Sequence, residues 1–89
     1  MVGLTLVLAR DLSRWKIRAN TVAPGIFGTP MANLLSDGVK KSIWNSQCYP
    51  DNRFGTPAEC AIMVRFLLEN QFMNAETVRI DAGTRMPKL

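Results

Sequence analysis

One phenol, two thiols, seven carboxylates, four lysines and a set of hydroxyls are the side chains of this sequence that can take part in acid–base or nucleophilic chemistry. The tyrosine is Tyr49, with Arg53 four residues later, and the thiols are Cys48 and Cys60. There is no histidine, so a His general base, a Ser-His-Asp triad and a His-built metal site are excluded. The cysteines form neither a CxxC pair nor a ligand cluster. Cys60, beside Ala61 in a helix-like stretch, reads as a small buried apolar residue, which agrees with a reducing compartment. Thr29 precedes Pro30, the arrangement of a helix N-cap followed by a proline at the first helical position. Catalytic and metal-binding residues are therefore not expected among these side chains.

Eleven Lys and Arg against seven Asp and Glu leave a net charge of +4. Arg10, Arg14, Lys16 and Arg18 gather around one turn, while the other cations are interleaved with acids. A nucleic-acid footprint would be a denser stripe, so the cluster reads as a solvated helix end and nucleic-acid partners are not expected. With 47% apolar and 20% charged residues in 89, the composition is globular: one small domain, or a piece of a larger one. The longest apolar run, residues 6–9, is far short of the ~20 residues of a membrane span. No charged leader is visible, so neither a membrane partner nor a secretory signal is expected.

These residues must be held by a small number of elements. Leu4, Val7, Leu8 and Leu12 make the stripe of an amphipathic helix, with Arg10 and Arg14 in its last turns. Nothing before Leu4 can cap it, so Met1 reads as the middle of an element. Residues 17–23 read as a strand closed by Pro24-Gly25. Residues 26–49 mix loop and short helices, with apolar spots at Leu34 and Leu35 and at Val39, Ile43 and Trp44. Thr56-Pro57-Ala58-Glu59 is a capping box opening a helix through about Leu68, with Ala61, Val64, Leu67 and Leu68 on one face. Residues 77–81 alternate as a second strand with Val78 and Ile80 inward, before Ala82-Gly83. Two strands joined through a helix run parallel with a right-handed crossover. Two strands and three helices do not cover one another, and the organisation is that of a fragment.

Gly3-Leu4-Thr5-Leu6-Val7-Leu8-Ala9-Arg10-Asp11-Leu12 followed by Ile17-Arg18-Ala19-Asn20-Thr21-Val22-Ala23-Pro24-Gly25 resembles the C-terminal half of a short-chain dehydrogenase/reductase. Thr29-Pro30-Met31 follows at the family's distance, Arg53-Phe54-Gly55-Thr56-Pro57-Ala58-Glu59 looks like its R-x-G-x-P-x-E helix start, and Asp81-Ala82-Gly83 stands where the family usually has Asp-Gly-Gly. Residues 23–30, and the tail from Glu69 through Ile80-Asp81 to Arg85-Met86-Pro87, resemble members that oxidise 3-hydroxyacyl-CoA and hydroxysteroids. The resemblance covers essentially all 89 residues.

The resemblance implies an α/β fold, the C-terminal fragment (helix-strand-helices-strand) of a Rossmann-type doubly wound parallel sheet. Residues 1–89 would be the C-terminal portion of one domain whose N-terminal cofactor-binding half is absent. It also implies NAD as cofactor, with Pro24, Gly25 and Ile26 lining the nicotinamide, Phe27 contacting it and Thr29 bonding its carboxamide. Met31, Leu34 and Leu35 would cover an acyl-CoA or steroid-like substrate. The residues themselves leave alternatives open: Thr29 as a plain N-cap, Phe27 as loop packing, and Met31, Leu34 and Leu35 as a locally packed helix face. In the family the last strand and tail contact other subunits of a homo-oligomer, commonly a tetramer, and Ala82 departs from that pattern. A mitochondrial location and fatty acid metabolism are implied in the same way.

The family's Tyr-x-x-x-Lys and Gly-rich phosphate loop have no counterpart here, and Tyr49 with Arg53 lies in the wrong segment to replace the former. Two functions follow as expectations. One is the C-terminal part of an NAD-dependent 3-hydroxyacyl-CoA dehydrogenase, inactive when isolated. The other is a non-catalytic truncated product that at most associates with intact subunits. Alone, the chain is expected to be molten, oligomeric or insoluble, and to bind NAD at about millimolar affinity or weaker.

Overall fold

A computed structural model describes residues 2–85 of the chain. Met1 and residues 86–89 are not described, so the mid-element reading of Met1 and the match at Met86-Pro87 lie outside the described residues. From the N-terminus come helix α1 (Val2–Leu12), a 3₁₀ turn (Ser13–Trp15) and strand β1 (Thr21–Pro24). Two short helices follow, α2 (Pro30–Asn33) and α3 (Asp37–Ser46), then α4 (Pro57–Glu69) and strand β2 (Thr77–Ile80).

The signal at residue 56 has the consequence predicted for it. The Thr56 hydroxyl accepts from the Glu59 amide at 3.2 Å, and the Glu59 carboxylate accepts from the Thr56 amide at 2.9 Å. Two of the four amides that a helix start leaves unpaired are thereby satisfied, and Pro57 has none to satisfy. The other end of α4 depends on a residue far away in sequence. Arg18 Nη1 donates to the carbonyls of Leu67 (2.8 Å), Asn70 (3.1 Å) and Met73 (3.1 Å), and Nη2 to that of Leu68 (2.9 Å). A cation placed on the last carbonyls satisfies orphan acceptors and suits the negative end of the helix. Arg18 is thus not part of a solvated basic cluster.

The same clamp explains why β1 begins later than predicted. Ala19 and Asn20 are spent on the turn that leaves α4: the Ala19 amide donates to Asn74 Oδ1 at 2.9 Å, and Asn20 Nδ2 donates to the Met73 carbonyl at 3.0 Å. The ladder then runs parallel, Thr21 opposite Thr77 through Pro24 opposite Ile80. The result is a small α/β fragment with a parallel two-stranded sheet.

Its packing departs from the predicted faces. On α1 the buried residues are Thr5 and Ala9, not the leucine stripe; Leu4 and Val7 are 51% and 55% exposed. The Thr5 hydroxyl is hydrogen-bonded to that of Thr21 on β1, and small side chains four residues apart turn one face of the helix to the interior. Likewise only Leu67 of the predicted α4 face is buried, while Ala61, Val64 and Leu68 are exposed. Ala32 is the remaining buried apolar residue among those described. With so small a core the chain is open. Its radius of gyration is 15.9 Å, against the ~12 Å expected of a compact domain of this length.

Candidate functional site

The Pro24–Gly25 break turns the chain out of the sheet at the C-terminal end of β1, where open α/β sheets present their ligands. The turn is tight. The Gly25 amide donates to the Ile80 carbonyl at 2.9 Å, and a Cβ on Gly25 would stand 2.7 Å from Cβ of Asp81. Phe27 bridges to Gly55 in parallel, the Gly28 amide donating to the Gly55 carbonyl at 2.7 Å. Its ring lies where a side chain on residue 55 would have to be, so glycine there is what lets Phe27 pack. The Thr29 hydroxyl accepts from the Ala32 amide at 3.3 Å, capping α2. That bond uses one lone pair and leaves the hydroxyl its proton to donate.

A groove of about 900 Å³ opens beside this loop. Pro24, Gly25, Ile26, Phe27 and Thr29 form one wall, with Met31 and Leu35 also lining it. Those are seven of the eight residues picked from the sequence. Leu34 is the eighth; it does not line the groove and is 85% exposed. The opposite wall comes from α4 through Cys60, Ala61, Val64 and Leu68, residues that periodicity alone assigns to a helix face against a core. Cys60 is partly exposed and free, as is the more open Cys48. The lining is apolar apart from Thr29, Cys60 and Arg65. It suits the face of a planar ring or an acyl chain, and one hydroxyl can donate to a carboxamide oxygen.

A second recess of about 160 Å³ shares Ile26 and Phe27 with the groove and is lined by Tyr49, Arg53, Glu59 and Asp81. Arg53 grips Glu59 with both arms, at 2.7 and 3.0 Å, and donates to the Tyr49 hydroxyl at 3.2 Å. The guanidinium lies 5.1 Å from the Tyr49 ring centroid. Hydrogen bonds from Arg53 first, and from the Thr56 amide second, pull the Glu59 carboxyl down to about 2. The same bond raises the Arg53 pKa above its already high ordinary value. The cation is fully occupied and the carboxylate is held ionised, so this cluster fixes the loop before α4 and is not poised to move protons. No three His, Cys, Asp or Glu side chains come together as a metal site among the described residues. No helix of the described residues is long and apolar enough to cross a membrane.

A family model described as enoyl-(acyl carrier protein) reductase matches residues 1–85. The chain belongs to the short-chain dehydrogenase/reductase family. It is 44% identical over 86 residues to the 3-hydroxyacyl-CoA dehydrogenase type-2 of Bos taurus, covering 97% of this chain and 33% of that protein. It is 37% identical over 87 residues to the human 3-oxoacyl-[acyl-carrier-protein] reductase, covering 97% of this chain and 34% of that protein. The solved 3-hydroxyacyl-CoA dehydrogenase type-2 from Mycobacterium avium superposes with a TM-score of 0.87 at 38% identity, over 97% of this chain and 33% of that one. The chain spans about a third of the length of the relatives it matches.

As a short-chain dehydrogenase/reductase segment it carries one local departure with a visible cost. Ala82 has φ 53° and Gly83 φ 70°; the left-handed region suits glycine and strains a residue with a Cβ. The turn is nevertheless kept, because the Ala82 carbonyl accepts from the Cys48 amide at 2.8 Å. The expectation that Ala82 bears on a subunit contact is untouched by this, since its strain is internal. The role of Arg18 was not foreseen. A lone arginine before a strand carries no sign of the helix that it will cap about fifty residues later.

Proposed function

We propose that the chain is the C-terminal part of an NAD-dependent oxidoreductase acting at the C3 oxygen of an acyl thioester. The observation that carries the proposal is the single groove wall formed by Pro24, Gly25, Ile26, Phe27 and Thr29 beyond the end of β1. In an intact subunit Pro24, Gly25 and Ile26 line the nicotinamide, Phe27 borders it, and the Thr29 hydroxyl donates to its carboxamide while still capping α2. NAD, when bound, supplies the hydride acceptor. Met31, Leu34 and Leu35 cover the substrate, and the exposure of Met31 and Leu34 (80% and 85%) leaves them available to an acyl chain or steroid. The similarity to one 3-hydroxyacyl-CoA dehydrogenase and one 3-oxoacyl reductase favours this substrate class, since both names describe the same hydroxyl–ketone pair on an acyl thioester. The segment of β2 and the tail contributes to a homo-oligomer, and the protein works in mitochondria in fatty acid metabolism.

The 89 residues alone do not perform the reaction, because the groove contains no group suited to take the substrate proton. The decisive experiment is a chimera in which this chain replaces the matching third of the bovine relative. It should oxidise 3-hydroxybutyryl-CoA with NAD, and Thr29→Val in it should raise the KM for NAD about tenfold. A chimera that folds and binds NAD but oxidises neither that thioester nor a hydroxysteroid overturns the substrate assignment. The isolated chain should show no turnover and bind NAD no tighter than about millimolar by calorimetry. Micromolar affinity would contradict that part. A second reading, a non-catalytic product that associates with intact subunits, is favoured by the exposed apolar residues of α1. It predicts that the chain co-purifies with the intact bovine enzyme.

A further inference from the structure

The chain leaves the sheet at Gly25 and returns beside the end of β2 at Cys48, and both ends of that excursion are held by one turn, residues 81–85. At the start, the Gly25 amide donates to the Ile80 carbonyl, and Gly25 stands so close to Asp81 that it has no room for a side chain. At the finish, the Cys48 amide donates to the Ala82 carbonyl at 2.8 Å, and the Arg85 amide donates to the Ser46 carbonyl at 2.9 Å. Gly83 makes this second approach possible, since a Cβ on it would stand 3.1 Å from that of Cys48. The small recess lies between the two ends. Ile26 and Phe27 line it from the start, Gln47 and Tyr49 from the finish, and Asp81 and Ala82 from the turn.

Asp81 shapes the turn with each of its oxygens, and its side chain is only 15% exposed. Oδ1 accepts from the Gly83 amide at 3.1 Å, and Oδ2 accepts from Arg79 Nη2 at 2.6 Å. Its carbonyl accepts from the Thr84 amide at 3.1 Å and from the Thr84 hydroxyl at 2.5 Å. An aspartate bonded to the backbone two residues on is a strong turn former, and here it offsets the left-handed strain at Ala82. We propose that Asp81 is a positioning residue for the substrate: it clasps both ends of residues 25–48 and so sets Met31, Leu34 and Leu35 over the groove. Asp81 touches no reacting atom in this role. A segment tied at both ends has less freedom to lose when a ligand orders it, so the effect falls on substrate binding and not on the chemical step. The identity of the substrate rests on the function proposed above; the clasp itself does not.

The test is made in the chimera with the bovine relative, which carries the whole of this chain. Asp81→Ala should raise the KM for 3-hydroxybutyryl-CoA about tenfold while changing kcat less than about twofold. It should also speed amide exchange about tenfold at Cys48 and Arg85 and leave Val22 in β1 unchanged. Asp81→Asn, whose carboxamide oxygen still accepts from the Gly83 amide, should recover most of both losses. Thr84→Val, which removes one bond to the Asp81 carbonyl, should move the same two readouts less, and it decides the matter if Asp81→Ala does not fold. Lys41→Glu, on the exposed part of α3, should move neither. A fall in kcat at unchanged KM, exchange that accelerates as much in β1 as at Cys48, an Asn variant no better than Ala, or a silent Thr84→Val would each overturn the proposal. A chimera without turnover, in which exchange at Cys48 and Arg85 still responds to Asp81→Ala, would sustain the clasp and count against the reaction alone.

Discussion

The exit from α4 and the proposed substrate cover around α2 (Met31, Leu34 and Leu35) are built on opposite terms. At the exit, Arg18, Asn20 and Asn74 bind backbone groups on both sides of the turn, and β2 is delivered into register with β1. In the cover, Met31 and Leu34 stand in solvent, and α2 is four residues long. Hydrogen bonds can be completed within one short stretch of chain because each needs a single partner at about 3 Å. Apolar burial needs a surrounding, and its contribution scales with the area removed from water. The polar frame is therefore finished within these residues, while the apolar faces of α1, α4 and the cover still require something to pack against.

The contrast is testable. Arg18→Ala should have the largest effect, about 3 kcal/mol, because four carbonyls lose a charged donor at once; amide exchange at residues 73–76 should accelerate with it. Gly25→Ala should cost about 2 kcal/mol by urea titration of the chimera, since the new methyl meets Asp81 and close-packed sites yield poorly. Removing the capping hydroxyl with Thr56→Ala should cost about 1 kcal/mol. Ala82→Gly should stabilise by about 0.5–1 kcal/mol through relief of the left-handed strain. In the cover, Leu34→Ser should shift stability by less than ~0.5 kcal/mol. A large loss there would show that the cover is packed after all and erase the distinction.

A pH titration separates the polar frame, through the start of α4, from the cover without mutation. The folded pKa of Glu59 is depressed from the ordinary 4.5 to about 2. Its contribution is therefore fully present above the ordinary carboxylate range and is lost as pH falls from about 4.5 toward about 2. Unfolding followed at α4 should show that acid dependence, and Glu59→Gln should flatten it. The cover, whose groove-lining residues are uncharged, should show none of it.

Local chemistry made part of this legible beforehand. Thr56 to Glu59 and Thr29-Pro30 could be read as helix starts because a cap involves neighbours three residues apart. The second strand and its parallel pairing were also readable, and of the eight residues picked out through family likeness seven line the groove. What misled was periodicity. Leu4, Val7 and Leu8 form the more apolar face of α1, yet Thr5 and Ala9 face inward, because the contact with β1 is made by a threonine pair and small side chains. Pattern alone cannot say which of two apolar faces a small sheet takes when it is too narrow to take both. Arg18 misled for the converse reason, since a cation close to other cations in sequence resembles a solvated face whatever it reaches in space.

The amino-acid sequence by itself determined the helix starts at Thr29 and Thr56, the turn at Pro24-Gly25, the strand-helix-strand order and the family, because each depends on residues that touch within a few positions of one another or on motifs in a set order. Tertiary structure alone decided which face of each helix is buried, that Arg18 closes α4, and that the loop after β1 and the face of α4 line one groove. Those outcomes depend on contacts between residues from 16 to 55 positions apart, and only the folded chain brings such residues within hydrogen-bond or van der Waals reach.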